Sequence, residues 1–70
     1  MTIKVGDLIA YDNIYDDDLC IGLVLEVNDK YLSCEILWFG LETTSAQTKG
    51  FVEQLRENFL QYAKNNGIVV

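Results

Sequence analysis

Four aspartates are crowded into one short segment near the start of the chain, and they are the first residues that could do chemistry. Asp12, Asp16, Asp17 and Asp18 fall between positions 12 and 18. Carboxylates are ligands for Ca²⁺ or Mg²⁺, but the spacing of an EF-hand loop is absent because position 14 is isoleucine and no glycine follows. We therefore expect an acidic loop that binds no metal and that recognises a basic partner.

Aromatic residues flank this acidic segment and end a later apolar run. Tyr11 and Tyr15 lie on either side of Asp12, whereas Trp38 and Phe39 are adjacent in sequence. The faces of aromatic rings beside carboxylates bind cations, including methylated lysine or arginine. We expect Tyr11 and Trp38 to be core residues, and Tyr15 and Phe39 to be exposed. A reader of methylated cations, built as an aromatic cage, is an alternative function.

Most enzyme chemistry lacks a required residue in this chain. There is no histidine, so a Ser-His-Asp or Cys-His relay and histidine ligation of zinc are excluded. Paired catalytic carboxylates need a cleft that shifts their pKa values, and a chain of 70 residues has little room for one. We expect no enzyme activity and no cofactor.

The two cysteines, Cys20 and Cys34, are not expected to form a disulfide. In a hairpin with a two-residue turn they point to opposite faces, and with a three-residue loop they lie roughly 13 Å apart along one face. A disulfide needs Cα atoms within about 7 Å. Cys34 is expected to be a small core residue, and Cys20 is the more accessible thiol.

The charge balance restricts the class of partner. Eleven acids against five bases give a net charge of −6, and one lysine against five aspartates gives residues 1–18 a net charge of −4. Direct nucleic-acid binding needs lysine and arginine to replace phosphate counterions, so it is disfavoured, as is binding to an anionic membrane. We expect a protein partner of basic character. An acidic nucleic-acid mimic or inhibitor is a further alternative.

No targeting or membrane segment is evident in the sequence. The longest near-apolar stretch, residues 19–27, is far shorter than the ~20 residues of a membrane span. The first residues lack the apolar region of a signal peptide. These features favour a cytoplasmic protein, in the host cytoplasm if it is encoded by a phage.

Two apolar runs, 19–27 and 30–39, predict a β-hairpin around Asn28 and Asp29. A two-residue turn at those positions makes one face of the hairpin entirely apolar. A four-residue loop preserves this match of faces, so the register stays open. The predicted inner positions are Leu19, Ile21, Leu23, Leu25, Leu32, Cys34, Ile36 and Trp38.

The other face of this hairpin is the candidate for a homodimer. It carries Val24, Leu37 and Phe39, and exposed apolar patches tend to be interfaces. Gly22 lies in the middle of the first run, where glycine often marks a bend that curls a sheet.

Shorter elements flank the hairpin. We predict a first strand over 5–11, a short edge strand over 42–45, and a last strand over 68–70. Between the last two, apolar residues at three- and four-residue spacing form a stripe that predicts a helix over 49–65. Thr48 is its candidate cap. The residues of the stripe are Phe51, Val52, Leu55, Phe59, Tyr62 and Ala63.

Three of these segments, KVGDLI (4–9), IGLVLEV (21–27) and ILWFG (36–40), together resemble a family. It comprises small SH3-like barrel proteins of tailed bacteriophages, including cyanophages, most of which have no assigned activity. The resemblance implies an SH3-like fold and a phage source.

The sequence thus predicts a mainly β, SH3-like small bent barrel, formed by residues 1–70 as a single domain, with one C-terminal amphipathic helix before a short last strand. The expected function is that of a non-enzymatic interaction module, a phage accessory protein that binds a host or phage protein. The partner-binding candidates are Asp12, Tyr15, Asp16, Asp17, Asp18, Tyr31 and Phe39.

Overall fold

Four antiparallel strands in sequence order form a single sheet, and one helix follows them. The computed structural model describes residues 2–13, 18–41 and 43–69, and within these ranges nothing is stated of the side chains of Asn13 and Asp18. The sheet order is β1-β2-β3-β4, and the chain is mainly β, as predicted. The elements are β1 (Leu8–Asn13), β2 (Asp18–Asn28), β3 (Ser33–Trp38), β4 (Thr43–Thr48) and α1 (Lys49–Asn65).

A β-bulge in β2 decides which side chains enter the core. Val24 pairs with Ile36, but two residues later Glu26 pairs with Glu35, so Leu25 is an extra residue in β2. The extra residue reverses the alternation, and Val24 becomes fully buried while Leu25 is exposed. The predicted inner face is therefore wrong for β2, although it is right for Cys34 and Ile36 of β3.

The same bulge removes one residue, Val24, from the predicted dimer face. Val24 cannot contribute to it, because its side chain is 0 % exposed and packs in the core. Leu37 and the exposed Phe39 lie on the opposite, outer face of the sheet. Leu23, directly opposite Leu37, lies on this outer face in place of Val24.

The helix packs across the outer edge of β1 rather than flat on the sheet. Its first half buries Val52 and Leu55 against Ile9 on the inner face, whereas its second half buries Phe59 against Ala10 on the outer face. Ile9 and Ala10 are adjacent and point to opposite faces, yet both are buried. The helix must therefore pass around the edge that separates the two faces.

A polar contact fixes the helix at this edge. The Arg56 guanidinium donates from Nη1 to the Leu8 carbonyl at 2.9 Å, and its Nη2 lies 4.0 Å from the Asp7 carboxylate. Asp7 is buried and accepts a hydrogen bond from the Lys4 amide at 3.0 Å. A buried carboxylate is tolerated when it has such partners, so the turn before β1 and the helix hold each other in place.

The helix begins and ends where the sequence predicts. Thr48 occupies the N-cap position, although its side chain makes no capping hydrogen bond. At the other end, the Ile68 amide donates to the Ala63 carbonyl at 2.8 Å, the Gly67 amide donates to Lys64, and Gly67 has a φ of 68°. These are the features of a Schellman motif, which needs a left-handed residue after the helix.

This helix ending explains why no last strand follows. Residues 68 and 69 have no strand structure, because the Ile68 amide is already used to end the helix. The predicted strand over 68–70 is therefore wrong at the described positions. β1 and β4 do not pair, and the sheet is not closed into a barrel. No helix in the described part of the chain is long and apolar enough to cross a bilayer.

Candidate functional site

Three aromatic side chains from three separate elements meet on the inner face of the sheet. The Tyr11 ring of β1 lies 6.5 Å from the Trp38 ring of β3, at an interplanar angle of 73°. It also lies 6.2 Å from the Phe51 ring in the first turn of α1, at 70°. These are edge-to-face contacts, which ring quadrupoles favour by about 0.5–1.5 kcal/mol per pair.

The rings line an open groove of about 370 Å³. This volume lies within the range of ligand-binding pockets. Among the described residues, those that line the groove carry no charge, and Tyr11 and Phe51 remain partly exposed. The arrangement suits a large apolar side chain or the apolar part of a cation. We call this site the aromatic groove, and its lining residues are Tyr11, Cys20, Trp38, Leu41, Gln47 and Phe51.

The lack of a side chain at Gly22 leaves room for the Trp38 indole. The two residues are directly paired between β2 and β3. A Cβ atom on Gly22 would lie 2.8 Å from Ile36 Cγ2 and 3.0 Å from Trp38 Cε3, which is closer than packed atoms tolerate. The absence of a side chain at Gly22 therefore lets the indole lie across β2, where it forms one wall of the groove.

The indole is also fixed from the side of β4. Trp38 Nε1 donates a hydrogen bond to Ser45 Oγ at 2.8 Å, and the side-chain Nε2 of Gln47 donates to the same oxygen at 3.3 Å. A half-buried indole N–H needs an acceptor, and Ser45 provides one. The groove is thus built directly against β4.

The predicted partner-binding residues are not brought together at this groove. Asp12 is exposed and lines a separate hollow on the outer face, between the β1–β2 hairpin and the end of the helix. Tyr31 and Phe39 are 71 % and 54 % exposed, but they lie in the turns at opposite ends of β3. Tyr15, Asp16 and Asp17 lie outside the described residues. Asp18 begins β2, directly opposite Asn13.

The two thiols differ in their surroundings. Both cysteines are free, as predicted. Cys34 is a core residue, and burial raises the pKa of its thiol. Cys20 is half-buried and lines the aromatic groove, so it can report on whether the groove is occupied.

Two further hollows lie on the surface. One of about 180 Å³ is lined by Glu26 and Glu35 among others, and these two like charges are directly opposite each other in the sheet, which is unfavourable. The other, of about 330 Å³, is the hollow of Asp12 and is lined also by Asn58, Gln61 and other residues of the helix. Among the described residues, no three acidic or cysteine side chains are grouped so that they could hold a metal ion.

The sequence alone could not reveal the aromatic groove. The sequence predicts Tyr11 and Trp38 as core residues and Phe51 as part of the apolar stripe of the helix, but the Tyr11 side chain is 40 % exposed and only Trp38 packs against the core. The groove forms because the helix begins directly after β4 and brings Phe51 next to Tyr11, a contact between residues distant in sequence. The one available signal was Gly22 in the middle of a strand, which indicates the close approach of a bulky group.

No protein-family model, curated protein or solved structure matches the chain. The case for a function therefore depends on the geometry of the groove and its surroundings.

Proposed function

We propose that the protein is a non-enzymatic interaction module that binds an apolar side chain of a partner protein in the aromatic groove. The observation that supports this function is the meeting of Tyr11, Trp38 and Phe51 around an open groove whose described lining residues carry no charge. Aromatic residues in a desolvated centre, ringed by polar contacts, dominate the energetics of protein interfaces.

The aspartates of residues 12–18 are the reason to expect a basic partner for this module. The segment 12–18 runs from the end of β1 to the start of β2 and contains Asp12, Asp16, Asp17 and Asp18. Charges near an interface raise the association rate more than the final affinity. Replacing Asp16, Asp17 and Asp18 with asparagine should slow association of a lysine-containing peptide and reduce its salt dependence. An unchanged association rate would contradict this role.

An SH3-like fold and a phage source belong to the same proposal. The three sequence segments that resemble the phage family support both, and the consecutive order of the four antiparallel strands supports the fold alone. A crystal structure in which the four strands bend strongly into a partly open barrel, with the β4 edge still free, would support the SH3-like description. An open, weakly curved sheet would contradict it.

The direct test of the groove is a peptide selection with matched variants. Peptides selected from a random display library against the wild-type protein should bind Phe51→Ala at least about tenfold more weakly, because truncating an aromatic residue at the centre of an interface costs about 2 kcal/mol or more. Val5→Ala shortens an exposed apolar side chain that does not line the groove, and should bind as the wild type does. Equal binding by the wild type and Phe51→Ala would contradict the proposal.

Cys20 provides a second readout that needs no substitution. Bound peptide should protect the Cys20 thiol from alkylation by iodoacetamide, because this residue lines the groove. The buried Cys34 thiol is the internal control, since it should react only when the protein unfolds. Full reactivity of Cys20 at saturating peptide would place binding elsewhere.

A reader of methylated cations is the second candidate, favoured by the nearly perpendicular rings. Cation–π attraction requires the positive charge. A trimethyllysine peptide should then bind more tightly than its isostere in which an uncharged carbon replaces the quaternary nitrogen. Equal binding of the two peptides would favour the apolar interaction, which the apolar and neutral side chains among the described lining residues support.

A further inference from the structure

The outer edge of β4 carries backbone groups that are directed away from the sheet. The Lys49 amide donates to the Leu32 carbonyl at 2.8 Å, and the pairing continues in the same register through Cys34–Gln47 and Ile36–Ser45. Hydrogen-bonded and non-hydrogen-bonded pairs alternate along an antiparallel ladder. Cys34–Gln47 and Ile36–Ser45, two and four residues from the bonded pair Leu32–Lys49, are therefore hydrogen-bonded pairs. The backbone N–H and C=O groups of Ser45 are thus directed toward β3.

The residues between the bonded pairs must have the opposite orientation. Thr44 and Ala46 therefore direct their N–H and C=O groups outward, away from β3. The Phe39 amide, which donates to Ile21 at 3.0 Å, gives the same result independently. Because this bond directs the backbone groups of Phe39 and Leu37 toward β2, those of the intervening residues Ile36 and Trp38 are directed toward β4.

Nothing in the described part of the chain covers this edge. One hydrogen bond reaches it there, from the Thr43 hydroxyl to the Thr44 carbonyl at a long 3.4 Å. The strand itself, TTSAQT, contains no charge and no proline, and its pairing with β3 is free of bulges. Charges, proline and bulges are the devices by which proteins prevent a free edge from pairing.

The aromatic groove lies directly beside this edge. Gln47 of β4 lines the groove, and Ser45 anchors the indole that forms one wall. A strand paired with β4 would place alternate side chains on the same face as Ser45 and Gln47, and thus in the groove. Strand addition of this kind obtains its affinity from main-chain hydrogen bonds and its specificity from pockets for alternate side chains.

We propose that β4 accepts an extended segment of a partner protein as an added antiparallel strand, with a large apolar side chain opposite Ser45 in the aromatic groove. The proposal rests on the proposed function, because the groove supplies its specificity. Antiparallel addition continues the arrangement of the whole sheet. Flanking lysine or arginine residues suit the net charge of −6.

A second copy of the chain fits this site less well. Paired with itself, β4 would offer only Thr43, Ser45 and Gln47 on the face of the groove, and none of these is a large apolar side chain. Two copies would also bring together two net charges of −6, which repel. A partner segment fills the groove, whereas a second β4 leaves it empty.

The experiment is an N-methyl scan of a peptide selected on the wild-type protein, so that the protein itself stays unaltered. In an antiparallel added strand, the residues on either side of the apolar anchor direct their N–H groups to β4, and the anchor directs its own away. N-methylation of either neighbour should weaken binding at least about tenfold. N-methylation of the anchor should leave binding within about twofold.

The outcomes separate this proposal from the one on which it rests. If selected peptides bind Phe51→Ala as well as the wild type, the groove itself is not the site. If binding needs Phe51 but N-methylation shows no alternation, the groove stands and strand addition is wrong. If sedimentation shows a dimer that Ala46→Pro dissociates, a second copy occupies the edge and the proposal is overturned.

Discussion

β1 and β4 are the two edge strands of one sheet, but their outward backbone groups meet different surroundings. At β1, the helix passes along the edge, and Arg56 donates a hydrogen bond to the outward carbonyl of Leu8. At β4, the outward groups of Thr44 and Ala46 meet no other element among the described residues. The helix follows β4 directly in the chain, yet it covers the opposite edge.

This difference indicates that edge protection in the protein is selective. Small domains usually cover or charge both edges, because a free edge pairs with other chains. Here the β1 edge is covered by the helix and by the contacts of Arg56, whereas the β4 edge is uncovered and lies beside the aromatic groove. The pattern is that expected of a surface that binds an extended chain, and it can be tested at each edge separately.

The largest expected effect is the difference between two proline variants of β4. Ser45→Pro should destabilise the protein by about 3 kcal/mol or more, because it removes a ladder hydrogen bond to β3. Ala46→Pro should change stability by less than about 0.5 kcal/mol, since its N–H faces outward and proline is tolerated on such an edge. Urea unfolding of both variants measures the difference, and equal losses would mean that the orientation assigned to β4 is wrong.

The next effect tests the covered edge. Arg56→Ala should destabilise the protein by about 2 kcal/mol, because it removes a hydrogen bond from a charged donor and leaves the buried Asp7 carboxylate without its cation. Glu57→Ala, exposed on the same helix, is the control and should stay within about 0.5 kcal/mol of the wild type. A similar stability for both variants would show that Arg56 does not hold the β1 edge.

A third prediction concerns the glycine beneath the groove. Gly22→Ala should cost about 1–3 kcal/mol, because the added Cβ overlaps Ile36 and Trp38. It should also shift the fluorescence of the single tryptophan by displacing the indole. Gly50→Ala places the same methyl group in open space within the helix and should instead stabilise by about 0.5–1 kcal/mol. Equal effects of the two variants would contradict the close packing at Gly22.

The smallest effect is a pH dependence on the β4 side of the molecule. Burial raises the pKa of the Cys34 thiol, and the hydrogen bond from Lys49 to Asp29 raises the pKa of the lysine. The folded state therefore holds these protons to a higher pH than the unfolded state does. Stability should be constant below about pH 8.5 and should fall above it.

A thermal unfolding series from pH 7 to pH 10 measures this dependence. Cys34→Ala should reduce the slope of Tm against pH, whatever its own effect on Tm at pH 7. A Tm that rises with pH between pH 8.5 and pH 10 would contradict the raised pKa of the Cys34 thiol.

The elements that depend on local pattern were predictable from the sequence. The helix bounds agree with the structure because the apolar spacing and the Asn66–Gly67 ending act within a few residues. The turn chemistry near Asn28 also gave a hairpin, and the structure closes it with the four residues 29–32. Asn28 itself accepts hydrogen bonds from the Lys30 and Tyr31 amides.

The features that depend on contacts between distant residues were not predictable in this way. A single extra residue, Leu25, reversed the faces of β2 and moved Val24 into the core, and no alternation pattern marks it in advance. The end of the chain was predicted as a strand from its β-branched residues, but the Ile68 amide completes the helix cap. The aromatic groove needs three elements to pack together, and the sequence presents its residues separately.

The central claim, that β4 offers outward backbone groups beside the aromatic groove, is tested most directly by amide hydrogen exchange of β4 followed by NMR. In the free protein, the Thr44 and Ala46 amides should exchange rapidly and the Ser45 and Gln47 amides slowly. With a groove-binding peptide at saturation, Thr44 and Ala46 should become protected as well. Uniform protection of all four amides in the free protein, or unchanged exchange of Thr44 and Ala46 in the complex, would contradict the account.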